Sequence, residues 1–311
     1  MPFTAASVAD QSRKVFVITG GNSGIGLEAA KVLVSRNATV VLACRDARKM
    51  GEAAASLRAA GAGRVEQVVL DLSSLASVRS AATELAGRFP QIDVLVNNAG
   101  VMALPEAKSA DGHELQFATN HLGHFALTAR LLPLLVAAGT PERPARVVNV
   151  SSTMHRRANL NFDDPMLTRG YHPWVAYGQS KMANLLFTYE LDRRLRAAGL
   201  PVRALACHPG YAATNLQNTM RRGAFMTLAT DLGNRLVAQS AEGGAWPTVH
   251  AALSPEVDGG DYVGPGGLFE IAGPPRKVAS NRASHDADSQ RRLWELSERL
   301  TGVRFEGLPP A

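Results

Sequence analysis

The stretch VFVITGGNSGIG, residues 15–26, decides the fold of this chain of 311 residues. It opens on Val15–Ile18, a continuous apolar run of the kind expected of a strand covered on both faces. A glycine-rich turn follows, and apolar residues then recur at helical spacing from Ile25 to Leu33. A strand, a glycine turn and a helix in this order predict a unit whose turn binds a dinucleotide. A glycine-rich turn that binds no ligand is the alternative.

Each glycine of this turn has its own physical role in such a unit. Gly20 permits the tight turn, Gly24 lets the backbone approach a pyrophosphate, and Gly26 lets the helix pack closely on the sheet. The start of the helix offers free N–H groups and the positive end of its dipole to phosphates. We therefore expect an anion-binding site at the start of the first helix.

The rest of the chain alternates apolar runs with helical patterns. Strands are predicted at 40–44, 65–70, 92–96, 146–150, 202–207 and 261–263, and a last amphipathic helix at about 286–300. Residues 153–175 are predicted to be an irregular insertion, and 211–240 a mobile flap over the substrate with a helix near 225–237. The alternation predicts a single α/β domain over 1–311, with one doubly wound parallel sheet of the Rossmann type and helices on both faces.

Composition and charge narrow the class of protein. The net charge is +6 and the pI about 9.6, but no run of basic residues predicts nucleic-acid binding. Two cysteines in a chain this long indicate a reducing compartment. The N-terminus lacks the apolar core of a signal peptide, and the apolar stretch 125–138 is interrupted by Arg130 and Pro133. We expect a cytoplasmic protein without a membrane span.

The end of the second predicted strand bears on the choice of cofactor. An NAD-binding protein usually places an acid there, and this chain has Cys44 and Arg45. A small neutral residue followed by a guanidinium suits a 2′-phosphate, so NADP(H) is the preferred cofactor and NAD(H) the alternative. Asp46 is expected to cap the next helix. Arg45 could instead point to solvent or pair with a nearby acid.

Polar side chains follow several of the predicted strands. Asp71, Asn97-Asn98, Ser151-Ser152 and His208-Pro-Gly210 each come at a carboxyl end, where ligands collect in open α/β sheets. His121 and His124 lie three residues apart, but no third ligand lies nearby, so packing or surface histidines are favoured and no metal is expected.

A tyrosine and a lysine are spaced for one face of a helix. In YGQSK, residues 177–181, the two side chains are four residues apart and project about one turn from each other. By itself the pair favours packing and surface roles over a functional one, because this spacing is common.

Taken together, these motifs resemble the short-chain dehydrogenase/reductase family. The resemblance rests on TGGNSGIG at 19–26, DL at 71–72, NNAG at 97–100, Asn120, VVNVSS at 147–152, YGQSK at 177–181 and HPG at 208–210. It covers about 13–265, the expected family core, and leaves 266–311 as a C-terminal extension. ACRD at 43–46, HLGHFALT at 121–128 and SKMANLLFTYEL at 180–191 resemble the retinol-dehydrogenase-like branch. The membrane-anchoring N-terminus of many animal retinol dehydrogenases is not seen.

The resemblance implies an oxidoreductase that moves a hydride between a nicotinamide and a carbonyl or alcohol. Tyr177 would be the general acid, Ser152 would hydrogen-bond the carbonyl oxygen, and Lys181 would favour the phenolate and hold the nicotinamide ribose. Asn120 would hold a water that connects Lys181 to solvent. A non-catalytic NADP(H)-binding redox sensor or scaffold is the competing class, since it would keep the glycine turn.

The resemblance also implies the binding residues. Around the phosphates it places Gly20, Asn22, Ser23, Gly24, Ile25 and Gly26; at the adenine Asp71 and Leu72; at the ribose and nicotinamide Asn98, Ala99, Gly100, Tyr177, Lys181, Pro209, Gly210 and Thr214. An apolar substrate is suggested by Met102, Met154, Trp174, Met220, Phe225 and Met226, which could equally belong to the core. A homodimer or homotetramer is expected, because the family often pairs through the helices at 112–138 and 175–198.

Overall fold

The computed structural model describes residues 7–210 and 240–309, and its centre is one mostly parallel sheet. Eight strands lie in the order β3-β2-β1-β4-β5-β6-β7-β8 within the described residues. They are β1 Val15–Thr19, β2 Thr39–Cys44, β3 Arg64–Val69, β4 Val94–Asn97, β5 Ala145–Val150, β6 Val202–Cys207, β7 Tyr262–Pro265 and β8 Pro275–Lys277. The strand order reverses beside β1, as in a doubly wound Rossmann-type sheet. The predicted fold class is confirmed.

Eight α-helices connect or flank these strands in the described part of the chain. They are α1 Gly24–Val34, α2 Ala47–Ala60, α3 Leu75–Arg88, α4 Leu115–Phe117, α5 Gly123–Ala138, α6 Pro173–Ala197, α7 Ala241–Leu253 and α8 Ala287–Thr301. A π-helical stretch, Ala118–Leu122, joins α4 to α5, and short 3₁₀ helices form at Thr153–Arg157, Leu268–Glu270 and Arg282–His285. Asp46 caps α2 and Ser74 caps α3 by accepting backbone N–H groups.

Alternating strand residues build a separate core on each face of the sheet. Val17 and Leu95 pack with α3, α5 and α6, whereas Ile18 and Val96 pack with α1, α2 and α7. In β1, Phe16, Val17 and Ile18 are all fully buried, which explains why its sequence is continuously apolar. The carboxyl ends of β1, β4, β5 and β6 consequently meet at one edge between the two cores.

The structure adds two elements that the sequence analysis did not assign. Strand β8 is antiparallel to β7 and begins at Pro275, and an edge strand tolerates proline because one side needs no ladder. Helix α7 contains Pro247 and packs against α1. The proposed flap at 211–240, including its predicted helix, lies outside the described residues except for Ser240.

One helical run meets the length and composition expected of a membrane span. Leu115–Ala138 has a mean hydropathy of 1.3 in its most apolar window, and 67% of that window is buried inside the fold. Phe117, Phe125 and Leu131 of this run belong to the core on the α6 face of the sheet. Its apolar character is therefore accounted for by packing within the domain.

The C-terminal extension closes the core on the outer side of α6. Trp294 of α8 is 2% exposed, and its ring lies 5.3 Å from Phe125 and 4.6 Å from Phe305. The buried guanidinium of Arg194 lies over the same indole at 4.4 Å and bonds to the Pro309 carbonyl. The extension is thus part of the folded core.

Trp294→Ala should lower the free energy of unfolding by about 3–5 kcal/mol, because it removes a buried indole and leaves a cavity between Phe125 and Phe305. Urea unfolding measures this change. Leu268→Ala, at a position that is 79% exposed, is the control and should alter the free energy by less than about 0.5 kcal/mol. Equal losses in the two variants would mean that α8 does not anchor the core.

Candidate active site

Helix α6 carries Tyr177 and Lys181 into the interior at the carboxyl edge of the sheet. Both side chains are buried, Tyr177 at 5% and Lys181 at 3% exposure. The Lys181 ammonium lies 5.8 Å from the centre of the Tyr177 ring. It donates a hydrogen bond of 3.0 Å to the Val150 carbonyl at the end of β5. The helical spacing therefore places a phenol and an amine side by side beside the last residue of that strand.

The two serines after β5 are separated by their hydrogen bonds. The Ser151 hydroxyl donates to the Lys181 carbonyl at 2.8 Å and so is tied to the backbone of α6. Ser152 caps the helix Thr153–Arg157 by accepting the Met154 N–H, and its side chain is close enough to Tyr177 to favour the phenolate slightly. Of the two serines, Ser152 is therefore the one that faces the tyrosine.

Burial pushes both titratable groups towards their neutral forms. Desolvation raises the pKa of Tyr177 to about 12, against a smaller opposite effect of its hydrogen bond with Ser152. Desolvation lowers the pKa of Lys181 to about 8. The phenol consequently keeps its proton at neutral pH and is poised to donate it to an oxygen that gains negative charge.

Asn120 holds the loop that follows β4. It lies in the π-helical stretch, a distortion often found at functional sites. Its amide oxygen accepts the Val101 N–H at 2.8 Å, and its amide nitrogen donates to the Val101 carbonyl and to the Ser180 hydroxyl. A Cβ on Gly100 would lie 3.2 Å from the Asn120 amide oxygen and 3.4 Å from the Lys181 amine. The side chain of Asn120 thus positions 100–101 beside Lys181.

The glycine turn fits a dinucleotide phosphate by its shape and its free donors. Gly20 and Gly24 have positive φ, +65° and +54°, which favours glycine. A Cβ on Gly26 would lie 2.7 Å from the Gly20 carbonyl oxygen and 2.5 Å from the Asn98 amide nitrogen, so the turn can only close on glycine. Within the described chain, the Ser23 side chain makes no capping hydrogen bond to the first turn of α1. These N–H groups are available to an anion.

The Thr19 hydroxyl ties the glycine turn to the loop after β4. It accepts the N–H groups of Asn98 and Ala99, each at 2.9 Å, and lies 2.9 Å from Nε2 of the His124 ring. The other ring nitrogen bonds to the Asn120 carbonyl, which can only accept, so Nδ1 carries the proton and Nε2 accepts from Thr19. Asn98 turns its amide towards the Thr19 carbonyl at 2.8 Å.

The residues after β2 are the ones on which the predicted choice of cofactor depends. Cys44 is buried, and the backbone N–H groups of the glycine turn face its sulfur. Arg45 is exposed and has no hydrogen-bond or ion-pair partner among the described residues. Asp46 caps α2, as predicted, and accepts the Lys49 N–H at 3.0 Å. Its carboxylate is therefore used by the helix.

The remaining predicted residues have these positions. Asp71 accepts the N–H and hydroxyl of Ser73 with one carboxylate oxygen, and Leu72 is buried against Gly123. Gly210 has φ +69° and follows β6 with Pro209. Thr214 lies outside the described residues.

Two further histidines support the site: His155, which the sequence analysis did not single out, and His208, which it named only as the first residue of the HPG motif. His155 donates from Nδ1 to the Ser152 carbonyl at 2.6 Å, and its Nε2 accepts the Asn281 N–H at 3.2 Å. His208 accepts the Gly210 N–H and meets the Glu270 carboxylate. Both partners come from the C-terminal extension, so spacing in the sequence carries no signal for either pair. His121 bonds to Ser297 within the aromatic core, and the described residues contain no cluster suited to a metal.

The comparisons with known proteins identify the family. Residues 14–224 match the family model for short chain dehydrogenases. The chain therefore belongs to the short-chain dehydrogenase family of oxidoreductases, as predicted. Its relatives support the retinol-dehydrogenase-like branch: human retinol dehydrogenase 13 is 39% identical over 308 residues, covering 95% of this chain and 88% of the relative. Mouse polyprenol dehydrogenase is 39% identical over 296 residues, covering 94% and 85%.

Solved structures agree on the fold and support a nicotinamide cofactor. A protein of unassigned function from Mycobacterium paratuberculosis has a TM-score of 0.79 at 43% identity, covering 98% of this chain and 99% of its own. The NADP complex of RhlG from Pseudomonas aeruginosa has a TM-score of 0.66 at 27% identity, covering 81% and 94%.

Buried histidines should make the fold sensitive to mild acid. Burial lowers the pKa of His121 to about 3 and those of His124 and His155 to about 4. In the unfolded chain these groups titrate near 6.5, so the unfolded state binds protons first as the pH falls. The free energy of unfolding should therefore decrease from about pH 6.5 towards pH 4, by about 2 kcal/mol per histidine between pH 7 and pH 5. Urea unfolding at the two pH values measures the loss.

A variant assigns this effect to a residue. In His121→Leu the difference in unfolding free energy between pH 7 and pH 5 should shrink by about 2 kcal/mol, whatever the absolute stability. His172→Gln, at an exposed position, should leave that difference unchanged. The same pH dependence in His121→Leu as in wild type would contradict the assignment.

Proposed function

We propose that this protein is an NADP(H)-dependent oxidoreductase that acts on an apolar carbonyl or alcohol, with Tyr177 as general acid and base. The observation that carries the proposal is the group formed by the buried Tyr177 and Lys181 and the half-buried Ser152 at the edge of the sheet where the glycine turn also lies. When bound, the nicotinamide supplies or accepts the hydride. The glycine turn would hold the phosphates, and Gly100 and Gly210 would border the nicotinamide end.

Tyr177 moves the proton in this proposal. In reduction, the oxygen of the carbonyl gains negative charge, and the phenol donates its proton while the Ser152 hydroxyl hydrogen-bonds the same oxygen. In oxidation the phenol must first ionise. With a pKa of about 12, this costs about 7 kcal/mol at pH 7, from five pH units of 1.36 kcal/mol each. The buried phenol is therefore better matched to reduction at neutral pH.

Lys181 and Asn120 support that proton transfer. The Lys181 nitrogen lies 5.8 Å from the ring centre, and at such a separation an ammonium contributes about 3 kcal/mol to ionising the phenol at an effective dielectric of 20, so it offsets part of the cost. Asn120 would act by fixing 100–101 beside Lys181, because its amide is already bonded to Val101 and Ser180. A relay water at Asn120, which the family resemblance implies, would find both amide N–H groups in use and one acceptor site of the amide oxygen remaining.

The preference for NADP(H) rests on the end of β2. Arg45 is exposed there and has no ion-pair partner among the described residues, while Asp46 is used as a helix cap. A guanidinium can meet a 2′-phosphate with two parallel hydrogen bonds. Cys44 offers no carboxylate for a ribose hydroxyl.

The apolar substrate is supported by the surroundings of the tyrosine and by two relatives. Trp174 is 37% exposed, and its ring lies edge-on to Tyr177 at 6.3 Å. Retinol and polyprenol, in the names of two relatives, are apolar alcohols. We also infer that the protein is cytoplasmic and forms a homodimer or homotetramer. Within the core 13–265, we infer that residues 153–175 are an insertion and residues 211–240 a substrate flap. Residues 266–311 are then the C-terminal extension.

Tyr177→Phe tests the proton donor. It should lower kcat by a factor on the order of 10²–10⁴, because the ring stays in place and only the proton is lost. NADPH oxidation in a screen of aldehydes, steroids, quinones and retinoids first identifies a substrate, and calorimetry should show unchanged NADPH affinity. Tyr189→Phe, on the same helix, is the matched control and should retain kcat. Turnover of Tyr177→Phe near the wild-type rate would refute the role, and NADPH binding without turnover of any substrate would favour the non-catalytic sensor.

Arg45→Ala tests the choice of cofactor. Loss of a charge-assisted bond should weaken NADPH binding about 10- to 150-fold and leave NADH nearly unchanged. Dissociation constants of both cofactors for wild type and variant measure the effect. Arg48→Ala removes a neighbouring exposed arginine that pairs with Glu52, and should affect neither cofactor. A wild type that prefers NADH, or equal losses for both cofactors, is incompatible with the assignment.

A further inference from the structure

The backbone conformation of the turn Leu268–Glu270 is not explained by packing of its apolar side chains. Phe269 and Glu270 both have positive φ, 52° and 57°, in a region that non-glycine residues seldom adopt. Leu268 and Phe269 are 79% and 76% exposed, so their packing does not hold the turn in place. Such a conformation persists only where the surroundings impose it.

The Glu270 carboxylate is the part of this turn that is held. It accepts from Nε2 of His208 at 2.9 Å and from the Arg156 guanidinium at 2.7 and 2.8 Å. Its hydrogen bond with His208, and then that with Arg156, lower the pKa of Glu270 to about 2, so the group is a carboxylate at neutral pH. Arg156 lies in the short helix that begins directly after Ser152. One carboxylate thus joins the segment after β5 to the loop after β6.

The His208 ring connects Glu270 to Gly210, and its two hydrogen bonds define one tautomer. The Gly210 N–H donates to Nδ1 of His208 at 3.1 Å, and a backbone N–H can only donate. Nδ1 is therefore the acceptor, and the ring proton is on Nε2, where it points to Glu270. The carboxylate selects the tautomer that the Gly210 amide needs.

The surroundings of His208 leave the ring no freedom. It is fully buried and packs against the Tyr262 ring at 5.2 Å. A Cβ on Gly264 would lie 2.1 Å from its Nε2, so β7 makes room for the imidazole with a glycine. Gly210 itself, at φ +69°, fits closely under the turn, because a Cβ there would lie 2.3 Å from the Ile271 carbonyl oxygen.

We propose that His208 and Glu270 are positioning residues for the nicotinamide end of the cofactor, acting through the backbone of Pro209 and Gly210. The proposal rests on the proposed function, in which this loop borders the nicotinamide. The adenine end of the site, at Arg45 and Asp71, lies after β2 and β3, which are separated from β6 by β1, β4 and β5 in the sheet. The two ends of the cofactor should therefore respond differently to changes at His208 and Glu270.

Two pairs of variants separate the contacts. In His208→Asn the side-chain amide can keep an acceptor for the Gly210 N–H, in place of Nδ1. In His208→Gln the longer side chain places its amide only at the position of Nε2. Gln at 270 can keep an acceptor for the ring N–H, whereas Leu at 270 removes it. Calorimetry of wild type, His208→Asn, His208→Gln, Glu270→Gln and Glu270→Leu with NADPH, and with 2′-phospho-ADP-ribose, which lacks the nicotinamide, forms the experiment.

His208→Gln and Glu270→Leu should bind NADPH about tenfold more weakly, the effect of one lost hydrogen bond at a buried donor. His208→Asn and Glu270→Gln should stay within about threefold of wild type, and all variants should bind 2′-phospho-ADP-ribose normally, which also shows that they are folded. If wild type prefers NADH, the same comparison is made with NADH and ADP-ribose.

Three results would overturn the proposal: unchanged NADPH affinity in every variant, equal losses for both ligands, or no discrimination within either pair. Wild type that binds NADPH but reduces no carbonyl would refute the proposed activity alone, since the comparison of affinities does not depend on turnover. Wild type that binds no nicotinamide cofactor would overturn both.

Discussion

The site depends on the contact between the glycine turn and the loop after β4, and that contact is centred on one hydroxyl. Thr19 accepts two backbone N–H groups, from Asn98 and Ala99, and donates to His124, whose other nitrogen bonds to the Asn120 carbonyl. Every hydrogen-bonding capacity of this hydroxyl is used in a buried setting, where an unmet partner would be costly. The glycine turn and the loop after β4, which reaches Lys181, are thereby fixed relative to each other.

The exclusion of water that strengthens these hydrogen bonds also shifts the pKa values of Tyr177 and Lys181. Tyr177 and Lys181 lie on α6 with almost no exposure, so neither gains from hydration: burial raises the pKa of the phenol to about 12 and lowers the pKa of the amine to about 8. In the proposed mechanism, a phenol that keeps its proton at neutral pH can donate it to a developing alkoxide without first needing a base. The cost is a phenolate that is hard to form, which the 5.8 Å separation from the lysine only partly relieves.

The sequence was sufficient to predict features that depend on residues close together in the chain. Buried parallel strands read as continuous apolar runs, and the glycine turn, the helix cap at Asp46 and the tyrosine–lysine spacing on α6 each depend on neighbours within a few positions. It was insufficient where contacts join distant segments. His155 meets Asn281 across 126 residues and His208 meets Glu270 across 62, and no periodicity records such pairs. Strand β8 was missed because its prolines argue against a strand unless its edge position is known.

These distant contacts give the C-terminal extension a part in the geometry of the site. The Asn281 N–H donates to Nε2 of His155, so the other ring nitrogen, Nδ1, donates to the Ser152 carbonyl. The Glu270 carboxylate accepts from Nε2 of His208, so Nδ1 of that ring accepts the Gly210 N–H. In both pairs a residue beyond the matched family region of 14–224 selects the tautomer of a neutral imidazole within it. Because α8 anchors this extension to α6 through Trp294, the helix that carries Tyr177 also secures the segment that orients the neighbouring loops.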